Sequence, residues 1–559
     1  LGKHKEKQIM PSRNAESHFA LLPRNQMERS KFKIEHTHKT TFNAAQLIPF
    51  FVEQDVLPGD TFSIDTSFLI RMTTPMKPTM DNCYADIYYF AVPNRLVWQH
   101  WKDFMGENRN GAWTQLTQYV VPQLTTPTGG ANTGTIMDYM GIPIGVAGLK
   151  FSALPIRAYN LIYNEWFRDQ NLQAPLTEYT DDTDRTADNT NPVLGGIPVN
   201  VFKYHDYFTS ALPEPQKGSA ITMPLGVSAP VYTGVDQTTP LNKEPIHFKA
   251  TSGSLTGISA GAYTMALTRD DSTSDIAYTT FNSDTRTGSN YGVYPSNLYT
   301  DLTQATAATI NALRLSFATQ RILEKDARGG TRYTEVIKNH FGVTSPDARQ
   351  QRPEYLGGER VPININQVLQ TSSTDSTSPQ GNTGAWSMTG NVQKSFTKSF
   401  TEHSIIIGLI AVRQDHTYQQ GLERSWSRRH RLDYYWPSLA HLGEQPIYNK
   451  EIYAQGTSAD DQVFGYQERW AEYRYKPSRI SGELRSTYAT PLDVWHYGDK
   501  YNSLPVLSSA FLQETPDYID RTIEVAHTLQ NQFIADFFID ITAVRPMPIY
   551  SVPGLIDHF

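Results

Sequence analysis

The sequence predicts a mainly β protein, a sandwich closed by strands that lie far apart in the chain. Three observations predict it. Aromatic residues make up 12% of the 559, with 31 Tyr, 25 Phe and 9 Trp, ample for a packed core, so disorder over most of the chain is excluded. Charged residues are only 19% while Gly (36) and Pro (34) are plentiful, which suits strands joined by long, turn-rich loops better than a helical bundle. Stretches alternating apolar and polar side chains at period two occur toward both ends of the sequence.

Taken in order, residues 41–52 (TFNAAQLIPFFV) read as a strand interrupted at Pro49, which suits an edge or a bulge. The PGD at 58–60 supplies a turn. Residues 60–72 then place Phe62, Ile64, Phe68 and Ile70 on one face, with Ser63, Asp65 and Ser67 on the other. CYADIYYFA at 83–91 repeats the pattern. A helix is expected over 152–169, where Leu154, Ala158, Leu161, Ile162 and Trp166 stand near helical spacing and Ser152 is a candidate cap. A longer helix fits 301–327, capped by Asp301 and stopped by the glycines at 329–330. Residues 403–413 (HSIIIGLIAVR) are almost continuously apolar, and 532–544 alternate again through Phe533, Phe537, Ile539 and Ile541. Strong strands this far apart make the middle of the chain an excursion from one sandwich. Residues 213–300, rich in Thr, Ser, Gly and Asp, and the low-complexity stretch 371–384 (TSSTDSTSPQGNTG) belong at the surface, where recognition tends to reside.

Composition narrows the function. The single Cys83 rules out an internal disulfide framework and a multi-cysteine zinc cluster, which points to folding in a reducing compartment. No run of 18 or more apolar residues exists, so no membrane-spanning helix is expected. The opening LGKHKEKQIMPSRN is basic without a following apolar stretch, unlike a secretory signal. The net charge of −7 conceals an asymmetry: residues 1–39 hold nine Lys or Arg against four acids, a net of +5, leaving −12 on the rest. Residues 1–40 are therefore read as a basic arm, with Lys3, Lys5, Lys7 and Arg13 as candidates to meet a polyanion. A merely solvated tail is equally compatible with the charge.

Catalytic motifs are scarce. GISAG at 257–261 formally matches the Gly-x-Ser-x-Gly elbow of hydrolases but lacks the preceding strand and following helix that would expose Ser259, so chance is the better explanation. Neither a Walker A loop, a His-Glu-x-x-His nor a dinucleotide fingerprint is present. His36 and His38 share one face of a possible strand without a third ligand nearby. The acidic run at 178–188 offers oxygens for calcium but lacks the glycine and final glutamate of an EF-hand loop. No catalytic residue, metal or cofactor is assigned.

Two basic-aromatic segments are more telling. RSWSRRHRLDYYW at 424–436 sets Arg424, Arg428, Arg429 and Arg431 beside Trp426, Tyr434, Tyr435 and Trp436. YQERWAEYRYKPSR at 466–479 interleaves Arg469, Arg474, Lys476 and Arg479 with Tyr466, Trp470, Tyr473 and Tyr475. Arginine neutralises phosphate and flat rings stack unpaired bases, a combination suited to single-stranded nucleic acid. Interfaces between protein subunits are enriched in the same residues, and both uses stay open.

Long strings in the chain carry a resemblance. FNAAQLIPFFVEQDVLPGDTFSI (42–64), PTMDNCYADIYYFAVPNRLVW (78–98), WKDFMGE (101–107) and LPIRAYNLIYNEWFRDQNL (154–172) resemble the major capsid protein of the Microviridae, most of all its gokushovirus branch. The match continues in RGGTRYTEVIKNHFGV (328–343), SPDARQQRPEYLGG (345–358), QGLERSWSRRHRLDYYWPSLAHLGEQPIY (420–448) and GYQERWAEYRYKPSRISGELRS (465–486). It spares about 1–10, 213–300 and 371–395. The resemblance implies an eight-stranded antiparallel jelly roll with long helix- and loop-containing insertions, the chain from 41 to 559 forming one capsid domain interrupted at about 95–195, 213–300 and 301–400. It implies sixty copies in a T=1 icosahedral shell around a circular single-stranded DNA, with pentameric intermediates, assembly in the bacterial host cytoplasm and a final place in the virion. A DNA pilot protein, an internal scaffolding protein and a host receptor met by a threefold protrusion at 213–300 are the further partners implied. The resemblance also places basic and aromatic residues on the shell's inner surface, without naming individual contacts. The alternative function is a receptor- or carbohydrate-binding β protein acting through the 213–300 loop.

Overall fold

The computed structural model describes residues 29–107, 118–219, 221, 231–233, 248–250, 293–295, 298–300, 310–330, 332–344, 351–372, 374, 376–377 and 379–550. The chain divides into two compact units, one formed by Leu1–Pro215 with Asp326–Phe559, the other by Gln216–Lys325.

Eight long strands organise the first unit: β1 Ser30–Phe42, β2 Ile48–Val56, β3 Thr61–Met72, β4 Cys83–Pro93, β5 Glu354–Pro362, β6 Thr389–Ser399, β7 Ser404–Gln414 and β8 Phe533–Arg545. They make two four-stranded sheets ordered β1-β8-β3-β6 and β5-β4-β7-β2. All the pairings are antiparallel. Four of them, β1 with β8, β2 with β7, β3 with β6 and β4 with β5, are those of a single long ribbon of paired strands. Rolling that ribbon brings β8 against β3 and β7 against β4, the winding of a jelly roll. The mainly β architecture expected from the sequence is what the structure shows.

Burial explains each strand's pattern. In β8 every second side chain, from Phe533 through Phe537, Ile539 and Ile541 to Ala543, enters the core between the sheets, and Ile534 and Phe538 face outward. β7 has no such alternation because both of its faces are covered. Ile406, Ile410 and Val412 join the inter-sheet core. Ile405, Ile407, Leu409 and Ala411 pack outward under α1 (Leu154–Ile162) and its neighbours Trp98, Leu124 and Ile136. A strand buried on both faces reads as a continuous apolar run. At its centre Gly408 is required for close approach: a Cβ there would stand 3.0 Å from each of Phe50, Phe51 and Tyr89.

Pro49 sits on β2, an edge strand, opposite Leu409 at a bulge, so its missing N–H is tolerated as expected. The strand expected over 41–52 is split: Thr41 and Phe42 end β1, and β2 begins at Ile48. The basic stretch read as an arm through residue 40 is, from Ser30 onward, strand β1, paired with β8 along its length from Ser30↔Arg545 to Phe42↔Phe533. The stretch 301–400, expected to be an excursion, carries β5 and β6. Both have polar, glycine-containing sequences and lie at sheet edges, where alternation is not enforced.

The helix expected over 152–169 is α1, continued by a π-helical turn at Tyr163–Phe167. Ser152 Oγ accepts from Leu154 N at 3.3 Å. The later helix runs from Ile310 to Gly329 and ends at Gly330, whose φ of +90° few other residues adopt. Its proposed cap Asp301 lies outside the described residues. The described residues of the low-complexity stretch before Thr383 are exposed at the tip of a two-stranded ribbon, Ile365–Leu369 with Thr383–Ser387. Within the second unit, Val231–Thr233 pairs with Leu298–Thr300 and Phe248–Ala250 with Val293–Pro295. GISAG lies outside the described residues. Among the described residues no helix is long and apolar enough to cross a membrane.

Candidate nucleic-acid interface

Residues 415–532 return from β7 to β8 with little regular structure, yet together with Tyr207 and Phe208 they build a separate core, in which Tyr418, Ile447, Phe464 and Phe511 pack. The hairpin Glu444–Tyr448 with Val463–Glu468 holds the two basic-aromatic segments side by side. Tyr435 N donates to the Tyr473 hydroxyl at 3.1 Å, and the Tyr435 ring packs edge-on against Trp470 at 5.7 Å. Trp470 is buried with φ +66°, an unusual backbone for a bulky residue. Its amide donates to Gln445 Oε1 at 3.2 Å and its indole N–H to Leu439 O at 3.2 Å, and these bonds help hold it there. The segments predicted separately are thus one surface around a cleft of about 690 Å³ lined by Arg424, Trp426, Arg428, Arg429, Arg469 and Trp470.

The arginines divide into two groups. Arg424 turns inward, donating to Pro446 O at 2.6 Å and to Glu451 at 3.2 Å. Arg428 donates to Glu472 at 3.4 Å with its guanidinium 4.4 Å from the Tyr473 ring centre. Burial pushes the Glu451 carboxyl up from its ordinary range, against the Arg424 charge and the bonds it accepts from Tyr448 N and the Tyr207 hydroxyl. Arg469 is half-buried beside Trp470, 5.2 Å from its ring. These three organise the segment.

The others face water. Trp426 is 74% exposed. Arg429 and Arg431 are exposed, Arg431 lying 4.4 Å over Trp436. Tyr475, Lys476 and Arg479 are exposed as well, and Arg474 pairs with Glu468 at 2.9 Å. Lys476 reaches Glu423 at 3.5 Å, a surface pair with little hold on either partner. An exposed cationic rim beside exposed rings can take phosphate and stacked bases. Lys3, Lys5, Lys7 and Arg13 lie outside the described residues. The inward fate of Arg424 and Arg428 was hidden because counting cations passed over their partners Glu451 and Glu472, although Glu472 stands inside the second segment.

The acidic run is committed internally. Asp181 receives both ends of the Arg185 guanidinium at 2.6 and 2.7 Å, which holds its carboxyl down at about 2. Asp182 accepts from Trp98 at 2.6 Å and lies 2.8 Å from His100, and Asp184 accepts from Gln123 N at 2.8 Å. His38 Nδ1 lies 2.7 Å from Phe50 O and His36 stacks on Phe51. Burial lowers the His36 pKa. Both histidines serve the packing of β1 on β2.

Residues 20–555 match the family described as Capsid protein (F protein). The chain is 42% identical to Capsid protein VP1 of Chlamydia phage 1, covering 96% of this chain and 97% of the relative. It is 42% identical to Capsid protein VP1 of Bdellovibrio phage phiMH2K, over 98% and 99% of the two. To Capsid protein VP1 of Spiroplasma virus 4 the identity is 40%, again over 98% and 99%.

Proposed function

Since this chain belongs to the phage capsid protein (F protein) family, a structural component of the virion and not an enzyme, we propose that sixty copies close into a T=1 icosahedral shell around a circular single-stranded DNA. The family implies self-assembly into a shell. The observation that carries the finer reading is the single surface built from 424–436 and 466–479, rigid beneath and cationic above. Trp426, Arg429, Arg431, Arg474, Tyr475, Lys476 and Arg479 are its DNA-facing side chains, with Lys3, Lys5, Lys7 and Arg13 as further contacts. Arg424, Arg428 and Arg469 support them from behind. Symmetric repetition of modest contacts suffices to close such a shell.

Electron microscopy of the expressed protein tests assembly: sixty-subunit particles or pentamers are expected, and a persistent monomer would reject the proposal. Titration with single-stranded DNA at rising salt tests the charge. Each phosphate neutralised contributes about 0.7 to the log–log slope, so changing Arg429, Arg431 and Arg479 to Gln should flatten it by about 2. A wild-type affinity indifferent to salt would refute the electrostatic contact.

The separate unit Gln216–Lys325 favours a second role, host attachment. Deleting 213–300 should then leave particles that no longer bind cells. Loss of the particles themselves would assign the loop to assembly. A DNA pilot protein and an internal scaffolding protein complete the proposed partners.

A further inference from the structure

A cavity of the first unit, about 1000 Å³, shares no lining residue with the cleft just described, and its charge is lopsided. Seven Lys or Arg side chains and two acids, Asp169 and Glu335, line it. Several of the cations are matched: Arg332 pairs with Glu335 at 3.1 Å, and Lys203 with Asp499 at 3.1 Å. Three positive charges are not. Arg360 and Arg413 share one buried carboxylate, Asp86, with Arg360 Nε at 2.8 Å and Arg413 Nε at 3.1 Å. One carboxylate cannot offset two guanidiniums. Among the described residues the Arg168 side chain donates only to Gln173 O, at 2.8 Å, and its buried Nε has no partner there. Lys338 is exposed, and among the described residues no carboxylate pairs with it.

Arg360 is held as a receptor would be. Asp86 fixes its Nε, and its guanidinium lies 4.1 Å from the centre of the Tyr204 ring. Tyr204 in turn donates its hydroxyl to Asp86 at 2.7 Å. Among the described residues neither Nη of Arg360 has a partner, so the two-pronged edge that suits an oxyanion is left over. Arg413, by contrast, spends Nη1 on Phe202 O at 3.1 Å and Nη2 on the Tyr88 hydroxyl at 2.6 Å. Trp166 and Phe167 add aromatic surface to the same wall.

From these placements we infer that the cavity is a phosphate site, binding a nucleotide whose phosphate meets Arg360, Arg168 and Lys338 and whose base lies against the aromatic wall. Fixed guanidiniums need little reordering on binding, and their unmatched charge favours a phosphate over a neutral ligand. The nucleotide is either free or part of a strand.

Calorimetry on the full chain, with inorganic phosphate, deoxythymidine monophosphate and an eight-residue oligothymidylate as probes, tests this. The monophosphate should bind more tightly than inorganic phosphate, and Arg360→Gln should weaken it by about tenfold, the effect of one lost charge-assisted contact. Because Arg360→Gln also disturbs Asp86, Arg168→Gln and Lys338→Gln repeat the test away from that carboxylate. Binding of the monophosphate assigns a free nucleotide, and binding of the oligomer alone assigns a strand. The loss caused by Arg360→Gln should persist in a background that carries Arg429→Gln and Arg431→Gln, which separates this site from the outer surface. Unchanged affinity in all three cavity variants, no binding of any phosphate, or uptake of a glutamate-rich peptide in its place would overturn the inference.

Discussion

His416 follows β7 and is almost wholly enclosed. Its Nδ1 lies 2.8 Å from Asp499 and its Nε2 3.0 Å from Glu514, both carboxylates being buried too. With an acceptor at each nitrogen the ring keeps both protons. Burial opposes its charge, but the two carboxylates outweigh burial and raise its pKa to about 10. Burial likewise opposes ionisation of Asp499, yet His416 and Lys203 hold it below the usual carboxylate range. The folded His416 pKa is above the unfolded value, so its stabilisation is complete below about pH 6.5 and is lost as the pH climbs through 10. Asp499 contributes above about pH 3.8 and loses its contribution as the pH falls further. Replacing His416 by Gln takes the charged partner from Glu514 and one of the cationic partners from Asp499, which keeps Lys203, and should destabilise the fold by about 3–5 kcal/mol. Thermal melts would check both statements: the wild-type midpoint should fall between pH 7 and 10, and the variant's should start lower and change less. Nothing in the sequence around His416 announced this cluster, because its members come from positions 203, 416, 499 and 514 and meet only in the folded chain.

At the scale of elements, β7 and β8 make opposite demands. Ile406 and Ile407 point to different faces of β7, and both are fully buried. Truncating either to Ala should cost about 2–5 kcal/mol, the range for a large side chain removed from a packed core. On β8 the side chains of Ile539 and Ile534 should differ, since Ile539 is fully buried and Ile534 is 46% exposed. Ile539→Ala should match the β7 variants, and Ile534→Ala should fall within about 0.5 kcal/mol of wild type. Denaturant midpoints of the four variants provide the measurement. A mild Ile407→Ala would mean that α1 does not cover the outer face of β7.

For the whole molecule, the consequence lies in the order of synthesis. β8, the last long strand, sits between β1 and β3 in its sheet, and its register joins Ser30 to Arg545. Until β8 emerges, β1 has no partner in that sheet and the core lacks Phe533, Phe537, Ile539 and Ile541. Pairing across such a separation is slow, because the loop must close before its contacts form. A chain ending at residue 532 should therefore give no protected core in limited proteolysis, whereas the full chain should resist digestion. A stable fragment would show that β8 completes the sheet without being needed for it.

The strands legible in the sequence are β3, β4, β7 and β8, and these are the four central strands of the two sheets. A central strand has a neighbour on each side and at least one buried face, so its side chains must alternate, or be apolar throughout when both faces are covered. The edge strands β1, β2, β5 and β6 escaped wholly or in part. An edge pairs on one side only and is often marked by lysine, glycine or proline, which read equally well as arm or loop. The basic-aromatic surface divided in the same way. Its ingredients were visible in two separate strings, but which arginines face solvent was settled by carboxylates that only folding brings near, because a charge is claimed by whatever lies beside it in space.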